Sequence, residues 1–152
     1  MERLDGFWGA FIPDLGSSMP TLDGRRNILI VDDDPAVGES LRMLVSRQGH
    51  QARVARSAEE AVELIALWQP DLALLDVMLP GISGIEFAKQ LRVAHPACQI
   101  VLISGHPGTK ELLEFPQPGE DPLQILAKPV DPELIVALAA GESRLGQDAG
   151  MP

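Results

Sequence analysis

Residues 27–37 read NILIVDDDPAV. Four aliphatic side chains, Ile28 to Val31, run directly into three carboxylates, Asp32, Asp33 and Asp34. A continuous apolar run of this length, rather than an alternating one, suits a strand buried on both faces, as in a parallel sheet. Three adjacent carboxylates at its end repel one another unless something positive sits there. Pro35 then opens a helix, at a place where its missing N–H is no loss. Val37, Leu41, Leu44 and Val45 follow at helical spacing, and Gly49 stops the helix.

The alternation of strand and helix continues outward from this stretch. "QARVARS" (51–57) is a second, more polar strand, as expected at a sheet edge. Ser57 with Glu60 forms a capping box for a helix expected to run through Trp68, with Ala61, Leu64, Ile65 and Trp68 on one face and Pro70 ending it. "DLALLD" (71–76) is the third strand, "LPGISG" (79–84) a turn, and Ile85–Ala94 a third helix. "QIVLIS" (99–104) and "ILAK" (125–128) are the fourth and fifth strands. Asp131, Pro132 and Glu133 supply the cap, first-turn proline and first-turn acid of a last helix, to about Ala140. Between Ser104 and Ile125 only Thr109–Phe115 has helical character, because Pro116, Pro118, Gly119 and Pro122 forbid a long helix. Strands alternating with helices imply a flavodoxin-like, doubly wound α/β fold. Its five-stranded parallel sheet takes the order 2-1-3-4-5, with helices on both faces. The domain spans residues 27–140. Residues 1–26 form a tail or linker, carrying an aromatic cluster of Phe7, Trp8 and Phe11 with Ile12 that is suited to docking, and residues 141–152 form a short polar tail.

The chain has 152 residues, enough for one domain with a sizeable core. A net charge of −10 and no Lys/Arg run argue against binding nucleic acid or an anionic membrane through bulk charge. With one cysteine, Cys98, in an apolar stretch, no disulfide framework forms within the chain. No apolar run approaches the ~20 residues of a membrane-spanning helix, and no signal-peptide layout is present. The expectation is a cytoplasmic protein without membrane insertion.

In a parallel sheet of this order the ligand crevice lies beyond the carboxyl ends of strands one and three. Asp32 and Asp33 end the first and Asp76 ends the third, so these carboxylates converge. Ser104 ends strand four, and Lys128, ending strand five, is long enough to reach inward. Crowded carboxylates raise one another's pKa unless a cation intervenes. An all-oxygen donor set with no Cys/His cluster favours Mg²⁺, with Mn²⁺ as its admissible substitute, over Zn²⁺. Carboxylates, a metal, a hydroxyl and an ammonium around one point describe a phosphoryl-transfer site, in which a carboxylate can itself be the nucleophile.

The motifs "ILIVDDDP" (28–35), "LALLDVMLPGISG" (72–84), "VLISGH" (101–106) and "ILAKPVDPE" (125–133) resemble the receiver domain of two-component response regulators. Each alone is weak; four in order, covering Asn27 to about Ala140, are specific. The resemblance implies that Asp76 accepts a phosphoryl group from a histidine kinase or a histidine phosphotransfer protein. It further implies that Asp33, Asp76 and the backbone carbonyl of Met78 ligate Mg²⁺, with Asp32 acting largely through water. Ser104 takes the place of the family's switch hydroxyl, Gly105 leaves space beside it, and Lys128 pairs with a phosphoryl oxygen. Pro129 fits the family's cis Lys-Pro bond. Asp34 is expected to be a solvent-facing third member of the acidic run.

One departure concerns the output. Receivers commonly carry an aromatic residue three before the lysine, and here Ile125 stands there in a chain with no tyrosine. Together with the shortened fourth helix this implies an altered helix 4/strand 5 surface, signalling to a downstream partner protein. Only about a dozen residues follow the last helix, so no DNA-binding output domain, and no direct nucleic-acid contact, is expected of this stretch. The alternative reading is a small Mg²⁺-dependent aspartyl-phosphate phosphatase of haloacid-dehalogenase-like type. Such enzymes place a second Asp two residues after the nucleophile, where this chain has Met78. His106 is read as a loop histidine and Cys98 as a small buried apolar residue. "PGTK" (107–110) lacks the glycine spacing of a phosphate-binding loop.

Overall fold

The computed structural model describes residues 24–105 and 123–141. Five parallel strands, β1 (Asn27–Val31), β2 (Gln51–Ala55), β3 (Leu72–Asp76), β4 (Gln99–Ser104) and β5 (Gln124–Ala127), form one sheet in the order β2-β1-β3-β4-β5. Among the described residues there are four helices, α1 (Pro35–Arg47), α2 (Ala58–Ile65), α3 (Gly84–Ala94) and α4 (Pro132–Ala139). The helical stretch read at Thr109–Phe115, His106, the aromatic cluster and residues 142–152 lie outside the described residues. No described helix is long and apolar enough to cross a membrane.

The sheet is apolar on both faces because both are covered. Successive side chains of a strand point to opposite sides, so each central strand feeds two cores. Leu29, Val31, Ala73, Leu75, Ile100 and Leu102 pack with Ala58, Ala61, Phe87, Ala88 and Leu91 under α2 and α3. Ile28, Ile30, Leu72, Leu74, Val101 and Ile103 pack with Val45, Ile135 and Leu138 under α1 and α4. Cys98 is buried in the first core, and burial, aided by Asp71, pushes its thiol up to about 12.

One detail differs from the sequence reading. The helix expected to reach Trp68 ends at Ile65, and Ala66–Leu67 form a turn that leaves Leu67 91% exposed. Trp68 is still buried, but against the sheet. Its indole Nε1 donates to Gln51 Oε1 at 3.1 Å, and the Arg53 guanidinium lies 5.0 Å from the ring centroid. Pro70 disfavours helical backbone at Gln69, so the chain straightens before β3. Asp34 is exposed, as expected, and it also caps α1: its Oδ1 accepts the Ala36 N–H at 2.9 Å, directly ahead of Pro35 at the first helical position.

Candidate functional site

Backbone register brings the carboxylates together. β1 and β3 pair with Val31 opposite Leu75, so the next residues, Asp32 and Asp76, leave adjacent strands at one level. The hydrogen-bonding continues one step beyond the strands: the Asp32 N–H donates to Ala55 O (3.0 Å), Val77 to Ile103 O (3.0 Å) and Lys128 to Ser104 O (2.9 Å). All these residues therefore sit on the carboxyl edge of the sheet, with their backbones fixed by a neighbouring strand.

Carboxylate oxygens of Asp32, Asp33 and Asp76 lie within 4.8 Å of one another. Asp32 and Asp76 are buried and Asp33 is exposed. Asp76 Oδ1 accepts the Met78 N–H at 3.1 Å, and its Oδ2 accepts from Lys128 Nζ at 3.2 Å. Lys128 Nζ also stands 3.7 Å from Asp32 Oδ2, and Asp32 Oδ1 accepts the Asp34 N–H at 2.9 Å. The Lys128–Pro129 peptide is cis, as the resemblance implied. Ser104 is buried at the end of β4, next to the strand that ends in Asp76, and exposed Gly105 follows it. The structure thus brings Asp32, Asp33, Asp76 and Lys128 into one cluster, with Ser104 at the adjoining strand end and Met78 tied to Asp76 through its N–H.

The electrostatics are unbalanced. Burial is the main influence raising the Asp32 carboxyl above its ordinary range; Asp76 and Asp33 add to it, and the Asp34 N–H and Lys128 oppose it. At Lys128 burial acts to lower the pKa, but Asp32 and Asp76 outweigh it and the net shift is upward. When all are ionised, three carboxylates and one ammonium sum to −2. That residual charge, carried by closely spaced oxygens, fits a hard divalent cation.

A prediction follows for the metal-free protein. An acid whose folded pKa is raised binds its proton more tightly when folded. Its contribution to stability is full below the ordinary value of 3.8 and declines as pH rises through the raised folded value. Asp32→Asn keeps an oxygen to accept the Asp34 N–H and removes that decline. In chelator at neutral pH the variant is expected to unfold at a higher urea concentration than the wild type, and to gain less from added Mg²⁺. A lower midpoint than the wild type in chelator would contradict the repulsion argument.

Sequence reasoning missed Gly84. A Cβ built there would lie 2.0 Å from the Asp76 backbone oxygen and 2.9 Å from Val77 Cα. The Gly84 N–H donates to Val77 O at 2.9 Å, so the start of α3 rests directly on the peptide that follows the central carboxylate. The only signal was a glycine beginning a helix, where its propensity is poor.

Residues 28–140 match the family model described as the response regulator receiver domain. The DNA-binding response regulator MtrA of Mycolicibacterium smegmatis is 32% identical over 124 residues, covering 82% of this chain and 53% of that protein. The response regulator MprA of Mycolicibacterium vanbaalenii is 37% identical over 110 residues, covering 72% of this chain and 47% of that protein. The chain therefore spans about half the length of these curated relatives. Among solved structures, the receiver domain of NtrX from Brucella abortus is similar with a TM-score of 0.66 at 28% identity, over 76% of this chain and 98% of that one. A CheY-like receiver domain protein from Methanospirillum hungatei gives a TM-score of 0.67 at 25% identity, over 84% of this chain and 99% of that one.

Proposed function

We propose that this chain, which belongs to the response regulator receiver family, takes a phosphoryl group from a phosphohistidine onto Asp76 and passes the signal to a partner protein. The observation that carries the reading is the buried Asp76 carboxylate in the cluster with Asp32, Asp33 and Lys128. In the transfer an Asp76 carboxylate oxygen attacks phosphorus, the P–N bond to the donor imidazole breaks, and the imidazole leaves with that electron pair. The product is an acyl phosphate on Asp76. Asp33, Asp76 and the Met78 carbonyl would hold Mg²⁺, with Asp32 engaged through water; the ion supplies neutralisation of charge on the phosphoryl oxygens. Lys128 bonds Asp76 Oδ2 at 3.2 Å and would pair with a phosphoryl oxygen after transfer. Ser104, at the adjoining strand end, would supply a hydroxyl to the same group.

The donor would be a histidine kinase or a histidine phosphotransfer protein, and the receiver would occupy residues 27–140 between tails at 1–26 and 141–152. The protein named MtrA is described as DNA-binding, but the match spans about half of it, and the reading of no direct nucleic-acid contact concerns these 152 residues. Ile125, half-buried against the α2/α3 core, has no polar tip with which to exchange core for water. Output would therefore run through the surface after β4 and beside β5 rather than through a turning aromatic ring.

Incubation with Mg²⁺ and a phosphorylated histidine donor tests the reading: rapid stoichiometric labelling supports it, and continued turnover of small phosphate esters would instead place the chain with the phosphatases. The two roles of Lys128 give a second expected result. Lys128→Ala is expected to retain most phosphoryl incorporation while losing most of the gain in partner binding on phosphorylation, read by labelling and pull-down in parallel. Labelling lost as fully as on replacing Asp76 would show that this division of roles is wrong.

A further inference from the structure

The aromatic cluster near the N-terminus plays no part in the chemistry above, and an apolar groove on the α1/α4 side of the sheet has no cover among the described residues. Ser40, Leu41, Met43, Leu44, Val130 and Ile135 line a cleft of about 380 Å³ between α1 and the start of α4, with Arg47 at one edge. Met43 is 43% exposed.

We propose that the segment Phe7–Ile12 of this same chain docks in the α1/α4 groove.

Four observations converge on that occupant. The first is where the described chain begins. The Arg26 N–H donates to His50 Nδ1 at 3.1 Å, just beyond α1, and Arg26 Nη1 donates to Leu138 O at 2.9 Å and Ala139 O at 3.3 Å, at the end of α4. Arg26 thus lies between the C-terminal ends of the two helices that wall the groove. The second is reach. Residues 13–23 span at most roughly 40 Å when extended, whereas the 13 residues of α1 extend only ~20 Å. The third is chemistry. Phe7, Trp8, Phe11 and Ile12 offer large apolar side chains, and a cleft of this volume with apolar walls accepts such groups. The fourth is charge. Asp5 and Asp14 flank the aromatic cluster, and Arg47 flanks the groove.

The test uses the full chain with methyl-labelled methionine and isoleucine. Docking puts aromatic rings beside the Met43 methyl. The variant carrying Phe7→Ser, Trp8→Ser and Phe11→Ser is therefore expected to move the Met43 and Ile135 resonances while leaving that of Met78, which does not line this groove, in place. The same change must persist on dilution, because the contact is within one chain. As a second variant, Met43→Glu on the exposed groove wall is expected to shift Trp8 fluorescence to the red. Unchanged Met43 and Ile135 resonances in the tail variant overturn the proposal. So does a change that vanishes on dilution together with a dimeric mass, which would mean that the segment docks on a second copy.

Discussion

Asn in place of Asp76 is expected to abolish phosphoryl incorporation completely while leaving the fold intact. The side-chain amide keeps an oxygen for the Met78 N–H, which now bonds Asp76 Oδ1 at 3.1 Å, and nearly the same volume. What it lacks is a carboxylate oxygen able to attack phosphorus and hold it as an acyl phosphate. Removing one charge from a cluster whose carboxylate oxygens lie within 4.8 Å of one another also relieves repulsion. The urea midpoint in chelator should therefore equal or exceed that of the wild type. Intact-mass measurement after incubation with a phosphohistidine donor, with circular dichroism as the control for folding, reads both halves. Persistent label on the variant would move the acceptor elsewhere, to Asp32 or Asp33 first.

Gly84→Ala is expected to be among the most damaging single-methyl additions in the protein, costing ~3 kcal/mol or more. Its Cβ would lie 2.0 Å from the Asp76 carbonyl oxygen and 2.8 Å from the Asp76 carbonyl carbon, and neither backbone atom can swing aside. The strand end must move or α3 must lift, and either displaces the central carboxylate. Gly81→Ala is the informative comparison. Gly81 has φ +74°, and its new Cβ would meet Glu59 Oε2 at 2.9 Å, a flexible side-chain tip. It should cost only about 1 kcal/mol, the backbone penalty for a non-glycine residue at positive φ. Denaturant titration of the two variants separates them. A Gly84→Ala protein as stable as the Gly81→Ala protein would show that the contact relaxes cheaply.

The strands were legible because burial on both faces writes itself as unbroken apolar runs, as at Ile28–Val31 and Leu72–Leu75. The convergence of Asp32, Asp33 and Asp76 was legible for a related reason: parallel order fixes which strand ends are neighbours, and a terminal residue needs no further geometry. Trp68 misled because its spacing from Ile65 imitates another helical turn, whereas its burial comes from the sheet and from Gln51 and Arg53. Asp34 faces solvent as expected, but its capping role went unread because three like residues in a row invite one role, while the Asp-Pro step at the helix start already marked a cap. Gly84 was not legible, because its constraint arises only when the loop after β3 folds back over the Asp76–Val77 peptide. Local pattern conveys burial and termini; close approach between distant backbone segments depends on tertiary structure.

In the proposed function Asp76 is a phosphoacceptor within a metal-binding acidic cluster. The most direct test is to incubate the wild-type chain with a phosphorylated histidine donor, with Mg²⁺ and with chelator, and then to map the modified peptide by mass spectrometry. The expected result is a single phosphoryl group per chain, on the peptide containing Asp76, with incorporation lost in chelator. Label on another residue, or equal labelling without the metal, would contradict it.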